Sequence, residues 1–150
     1  MPRTSGLEDH LGYWLRFVSN HVSHAFALKV EARGVTVAEW VLLRHLAESG
    51  EVHPSTLAEN IGMSRGAISK LVDRLEEKGL LRRKAHKDDR RFQSVSLSAA
   101  GAKLVPVLAA LADANDREFF GHLGRLERES MTRILREIVR RRGLRVLPID

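Results

Sequence analysis

The stretch IGMSRGAISKLVDRLEEKGLLRRK, residues 61–84, decides the fold. Its apolar residues Ala67, Ile68, Leu71, Val72 and Leu75 recur at spacings of three and four, the stripe of an amphipathic helix. Ser64 stands where such a helix needs an N-cap acceptor, and Gly79 where it needs a left-handed residue after its last turn. The opposite face carries Arg65, Ser69, Lys70 and Arg74, all hydrogen-bond donors. On an isolated helix that face would read as merely solvated. The flanking segments argue for more.

Upstream, Pro54 suits a first helical position, and the short helix it opens is predicted to bury Leu57, Ala58 and Ile61 before Gly62-Met63 turns into the next. Downstream the hydrophobic period changes. Residues 80–84 and 94–97 read as two short strands around the charged loop HKDDRRFQ. A short helix, a glycine turn, a second helix with a polar outer face and a hairpin with a basic tip make a winged helix-turn-helix.

Long helices flank this unit. One is predicted over residues 7–33, and another from Thr36, where Thr36-x-x-Glu39 is a capping box and Val35 and Trp40 are spaced for a hydrophobic staple, to Gly50. Ser98 is placed to cap a long helix reaching about His122, and residues 126–142 form the last. Pro106 falls inside the long helix and predicts a kink or local break. Gly34, Gly50, Gly62, Gly79 and Gly143 each follow a periodic segment, as residues closing helices do. The expected fold class is mostly α with a small β-hairpin wing.

At 150 residues the chain suits one domain with a real core. It has no cysteine, which excludes disulfides, thiolate ligands and thiol-based redox sensing. No apolar run approaches the roughly 18 residues of a membrane span, and no signal-peptide pattern opens the chain. The expectation is a soluble, cytoplasmic protein. Nucleophile-elbow, P-loop and paired-acid patterns are all missing, so no enzyme is expected. The net charge of +6 is unevenly spread. Residues 64–91 hold ten Lys/Arg against five Asp/Glu, and residues 133–145 six Arg against one Glu, so the remainder is mildly acidic. Basic segments on an acidic body suggest a polyanion-binding surface, although the second also complements a helix dipole.

The element order resembles the MarR (multiple antibiotic resistance regulator) family of transcription factors. Two segments carry the resemblance. LAENIGMSRGAISKLVDRLEEKGLLRR is similar to the family's helix-turn-helix, and Asp89-x-Arg91-x-x-x-Val95-x-Leu97-Ser98 to its wing motif. The resemblance implies that the second helix of the pair enters the DNA major groove by its N-terminal end. Ser64 and the first-turn amides would then take a phosphate oxygen, Arg65 and Lys70 reach base edges or phosphates, and Gly66 let the backbones approach. Ser69 and Arg74 share that face. At the wing, Asp89 and Arg91 would shape the turn, with Lys87, Arg90 and Arg91 at the DNA and a guanidinium in the minor groove.

It implies also a homodimer on a palindromic operator, since one module reads only a few base pairs. Leu11, Leu15, Val18, Val22 and Phe26 form one stripe of the first helix, with Tyr13, Phe17 and histidines on another, as in a helix facing both a core and a partner. Leu144, Val146, Leu147 and Ile149 are further expected contacts between subunits. The whole chain, residues 1–150, is then a single unit, with residues 36–97 the DNA-binding lobe and residues 7–33 and 98–150 the dimerisation helices. Trp14 and Trp40 are expected to pack where these parts join. His10, Tyr13, Trp14, Phe17 and Arg44 are candidates for a pocket holding a small aromatic anionic effector. His21-x-x-His24 hints at zinc, but no acidic or thiolate set accompanies those histidines or His10, His45 and His53, so neither metal nor cofactor is expected. The reading is a ligand-responsive repressor. A nucleoid-binding or protein-interaction winged helix, or a zinc-responsive regulator, remains the alternative.

Overall fold

The computed structural model describes residues 2–86 and 89–145, and for residues 86 and 89–92 the backbone alone. Helices α1 (Leu11–Glu31), α2 (Val37–Ser49), α3 (Pro54–Ile61) and α4 (Arg65–Glu77) lead to a hairpin of β1 (Leu81–His86) and β2 (Asp89–Leu97). Helices α5 (Ala99–Phe120) and α6 (Arg125–Arg142) follow. No helix of the described residues is long and apolar enough to cross a membrane.

The local signals of the sequence act as expected. Thr36 and Glu39 close a reciprocal capping box at the start of α2. Ser64 Oγ accepts from Ala67 N–H, and Ser98 Oγ from Gly101 N–H, capping α4 and α5. The five glycines singled out above are the five with positive φ. Between α3 and α4, Gly62 at φ 76° permits a turn too tight for most side chains.

The core forms where these elements converge. Helix α4 contributes Ile68, Leu71, Val72 and Leu75, and α2 contributes Leu42, Leu43 and Leu46. Val30, Val35, Leu57, Ala58, Leu81, Val95, Val105 and Leu108 complete the cluster from the surrounding segments. Full burial of one such side chain contributes roughly 1.5–3 kcal/mol. The recognition-type helix is therefore anchored over its whole inner face.

The wing is longer than predicted, and an isolated bridge joins its second strand to Val52. Leu81 pairs with Leu97 and Arg83 with Val95, and the register shifts between Ala85 and His86. Val52, before α3, exchanges two backbone hydrogen bonds with Val95, at 3.0 and 2.8 Å. Ser94 Oγ reinforces this edge by donating to Glu51.

Four expectations need correction. The segment read as one helix over residues 7–33 splits into a 3-10 turn, Leu7–Asp9, and α1, because extended His10 breaks it. Pro106 breaks nothing: α5 runs unbroken through it, with Val105 and Leu108 packed in the core on either side. One missing N–H costs one helical bond, and core packing offsets that. The two faces of α1 are divided along its length rather than around it. Leu11, Trp14, Leu15, Phe17 and Val18 are exposed, whereas Phe26 meets Trp40 edge-to-face at 6.4 Å and Val30 is fully buried. Trp14 is therefore no core residue; it is 46% exposed and donates to the Glu8 carbonyl. Trp40 does pack against the core.

Candidate nucleic-acid interface

Helix α4 turns one face into the core and leaves the other in solvent. Ser64, Arg65, Gly66, Ser69, Lys70 and Arg74 are all exposed. Arg65, Lys70 and Arg74 form no ion pair with another described residue. The sequence placed these residues together, and the structure keeps them together. The amides of Arg65 and Gly66 have no acceptor among the described residues, because the Ser64 side chain takes Ala67 N–H. Two free N–H groups at a helix N-terminus make an anion site. Ser64 serves first as the cap, with its own hydroxyl hydrogen left to donate.

Gly66 is open space: a Cβ there would meet nothing within 4 Å. Its φ is not positive, so neither the backbone nor the packing of this chain demands glycine. A helical glycine without an internal reason costs stability relative to alanine.

Three ties hold α4 at its far end, and none was read from the sequence. Lys78 Nζ lies 2.8 Å from Glu39 Oε2 and donates to the Gly34 carbonyl at 2.9 Å. Glu39 is wholly buried. Burial by itself would raise its pKa, but the Lys78 hydrogen bond and those of the Thr36 backbone and hydroxyl outweigh it and hold the carboxyl below its ordinary value. Next, Arg83 on β1 binds Asp73 on α4, and its Nε lies 3.5 Å from Glu76 Oε2. Last, Ser98 Oγ donates to the Gly79 carbonyl at 2.6 Å, and Gly101 is so close to the Leu80 carbonyl oxygen that no Cβ fits. Glu39 announced only its capping role in the sequence; the other ties join residues too distant in the chain for any local pattern.

On β1, Arg82 and Lys84 are exposed and unpaired among the described residues, which extends the basic surface from α4 along the wing. Lys87 lies outside the described residues, and so do the side chains of Asp89, Arg90 and Arg91; only the strand backbone at 89–91 is described.

The effector candidates are brought together in part. Tyr13 meets Trp14 at 5.3 Å and Phe17 at 6.1 Å, and Phe17 meets His21 at 5.0 Å, an aromatic ladder on exposed α1. His10 ends the 3-10 turn at its start. Arg44 instead pairs with Glu48 one turn along α2. Among the described residues no three His, Asp or Glu side chains are placed to share a metal ion. Of the expected subunit contacts, Leu11, Leu15, Val18 and Leu144 are exposed, while Val146, Leu147 and Ile149 lie outside the described residues. Helix α6 buries none of its residues and exposes Met131, Ile134, Leu135 and Ile138.

Known proteins share this arrangement. A probable transcriptional regulator from Pseudomonas aeruginosa superposes with a TM-score of 0.78 at 30% identity, over 89% of this chain and 99% of that one. The transcriptional regulator HosA of Escherichia coli O157:H7 is 25% identical over 116 residues, 77% of this chain and 86% of HosA. A mutant MarR from E. coli, complexed with operator DNA, superposes with a TM-score of 0.77 over 86% of this chain and 93% of that one; at 21% identity this speaks to the fold. A profile of the MarR family matches residues 33–91, which run from the end of α1 through α4 to the wing. With the exposed donor face of α4, the basic wing and these likenesses together, the chain belongs to the MarR family of winged-helix DNA-binding transcriptional regulators.

Proposed function

We propose that this chain is a homodimeric repressor that binds a palindromic operator and lets go when a small ligand binds. The observation that carries the reading is the outer face of α4. Arg65, Ser69, Lys70 and Arg74 are exposed there, and its three basic residues are unpaired among the described residues, while the inner face is fixed in the core. Arg65 and Lys70 read or clamp the major groove, Ser64 and the first-turn amides take a phosphate, and the wing with Arg90 and Arg91 reaches the neighbouring minor groove. Residues 36–97 form the reading lobe. Residues 7–33 and 98–150 join two copies through the exposed apolar positions of α1 and α6. The protein works in the cytoplasm beside its DNA and has no catalytic step of its own.

The effector is an aromatic anion. The Tyr13–Trp14–Phe17 cluster supplies stacking faces, and Arg44, drawn from its pair with Glu48, supplies the charge. Footprinting the purified protein on DNA upstream of its own gene tests the reading. Protection of a twofold-symmetric site, lost on adding salicylate-like acids, is expected. Uniform, sequence-indifferent protection contradicts it.

A further inference from the structure

Arg83 belongs by sequence to the basic segment that faces DNA, but the structure gives it another task. Side chains alternate along a strand, so Arg83 lies on the face opposite Arg82 and Lys84. Its neighbours on either side are exposed, whereas Arg83 is 29% exposed and turned against α4. There it meets two carboxylates one turn apart, binding Asp73 and lying 3.5 Å from Glu76. One guanidinium between two acids has no net positive charge to offer a phosphate. Its backbone partner across the hairpin is Val95, which is fully buried and bonded to Val52. The strand position that carries Arg83 is thus backed by the core and by the Val52 bridge.

We propose that Arg83 is a positioning residue: through Asp73 and Glu76 it sets the angle between α4 and the wing, so that both reach one duplex, and it does not itself contact DNA. The proposal rests on the DNA-binding reading above. A partly exposed ion-pair network of this kind contributes little to stability, since solvent screens it. Its effect lies in geometry. A fork of five N–H donors suits it to hold two carboxylates at once, which a lysine ammonium on a flexible stem does poorly.

Asp73→Asn separates the two roles by sign. Removing a negative charge beside a DNA-facing helix strengthens attraction to phosphates. A freed Arg83 would strengthen it again if it were a DNA contact. A brace predicts the reverse. The test is binding to a duplex that the wild-type protein has selected from a random library, measured across a salt series, after thermal melts show each variant folded. Asp73→Asn and Arg83→Gln are each expected to weaken binding about tenfold with the salt slope unchanged, whereas losing a phosphate contact lowers that slope by about one. The double variant Asp73→Arg with Arg83→Asp is expected to recover most of the loss, and Glu77→Gln, an exposed α4 control, to lose nothing. If Asp73→Asn fails to fold, Arg83→Lys carries the test: it keeps the charge but not the fork, and the brace predicts weaker binding. Binding by Asp73→Asn as tight as wild type, or a reduced slope for Arg83→Gln, overturns the proposal. A wild-type protein that selects no sequence overturns the DNA-binding reading itself.

Discussion

The Glu39 carboxylate is wholly buried, and Lys78 reaches it at 2.8 Å from the far end of α4. The pair ties the start of α2 to the end of α4. Lys78 stays 39% exposed, so removing the acid lets the ammonium return to water, and the loss falls below that of a fully buried pair. Glu39→Gln is expected to cost about 1.5–3 kcal/mol at neutral pH, the range for hydrogen bonds to charged groups.

The pH dependence follows from the same carboxyl. Its folded pKa lies below the ordinary 4.5, so the unfolded chain binds the proton more readily. The stabilisation is complete above the unfolded value and is lost as pH falls through the lowered folded value. Thermal melts of wild type and Glu39→Gln are expected to differ most near neutrality and to converge under acid conditions. A constant difference down to strong acid contradicts the pairing.

Gly101→Ala places a Cβ onto the Leu80 carbonyl oxygen, which is backbone and cannot swing aside. The start of α5 must shift away from the end of α4, at a cost of about 1–3 kcal/mol for overpacking. Denaturant unfolding measures it. Because Ser98 and Gly101 abut Gly79 and Leu80 just past the end of α4, operator affinity is expected to fall with stability. A variant as stable as wild type contradicts the close approach.

Gly66→Ala is expected to move stability and binding in opposite directions. Nothing in the chain obstructs a Cβ at 66, and alanine favours the helix by about 0.5–1 kcal/mol. The melting temperature is then expected to rise by roughly 1–4 °C. If the DNA backbone comes close there, operator affinity falls. Unchanged affinity would leave the glycine without a role at the interface.

Leu15→Glu or Val18→Glu places a charge on the exposed first half of α1. Each is expected to raise the dimer dissociation constant and, with it, to abolish tight operator binding. Sedimentation velocity at micromolar concentration measures the first effect. A monomeric wild type would remove the basis for the assembly.

The legible part of this fold was written locally. The α4 stripe, the Thr36–Glu39 box, the Ser64 and Ser98 caps and the five positive-φ glycines each depend on residues within a few positions of one another. The exposed donors of α4 followed from the same stripe, being its complement. What stayed hidden joins distant segments. Val52 enters the wing sheet through a single bridge that leaves no alternating pattern. Asn115, buried on α5, accepts from Lys29 and donates to the Val22 carbonyl, and nothing near it in sequence marks that role. The exposure of Trp14 is hidden for a related reason: a large aromatic usually signals a core, and only its place on the exposed first half of α1 shows otherwise.

The central claim is that the exposed face of α4 reads DNA, and Arg65 at its first helical position tests it most directly. Anisotropy titrations of wild type and Arg65→Ala, at fixed salt, compare the footprinted operator with single-base variants of each half-site. The account predicts a loss of about 1–3 kcal/mol for Arg65→Ala, roughly 5- to 150-fold, with discrimination relaxed at one position per half-site. An Arg65→Ala protein that binds as tightly as wild type, with the same base preferences, contradicts it.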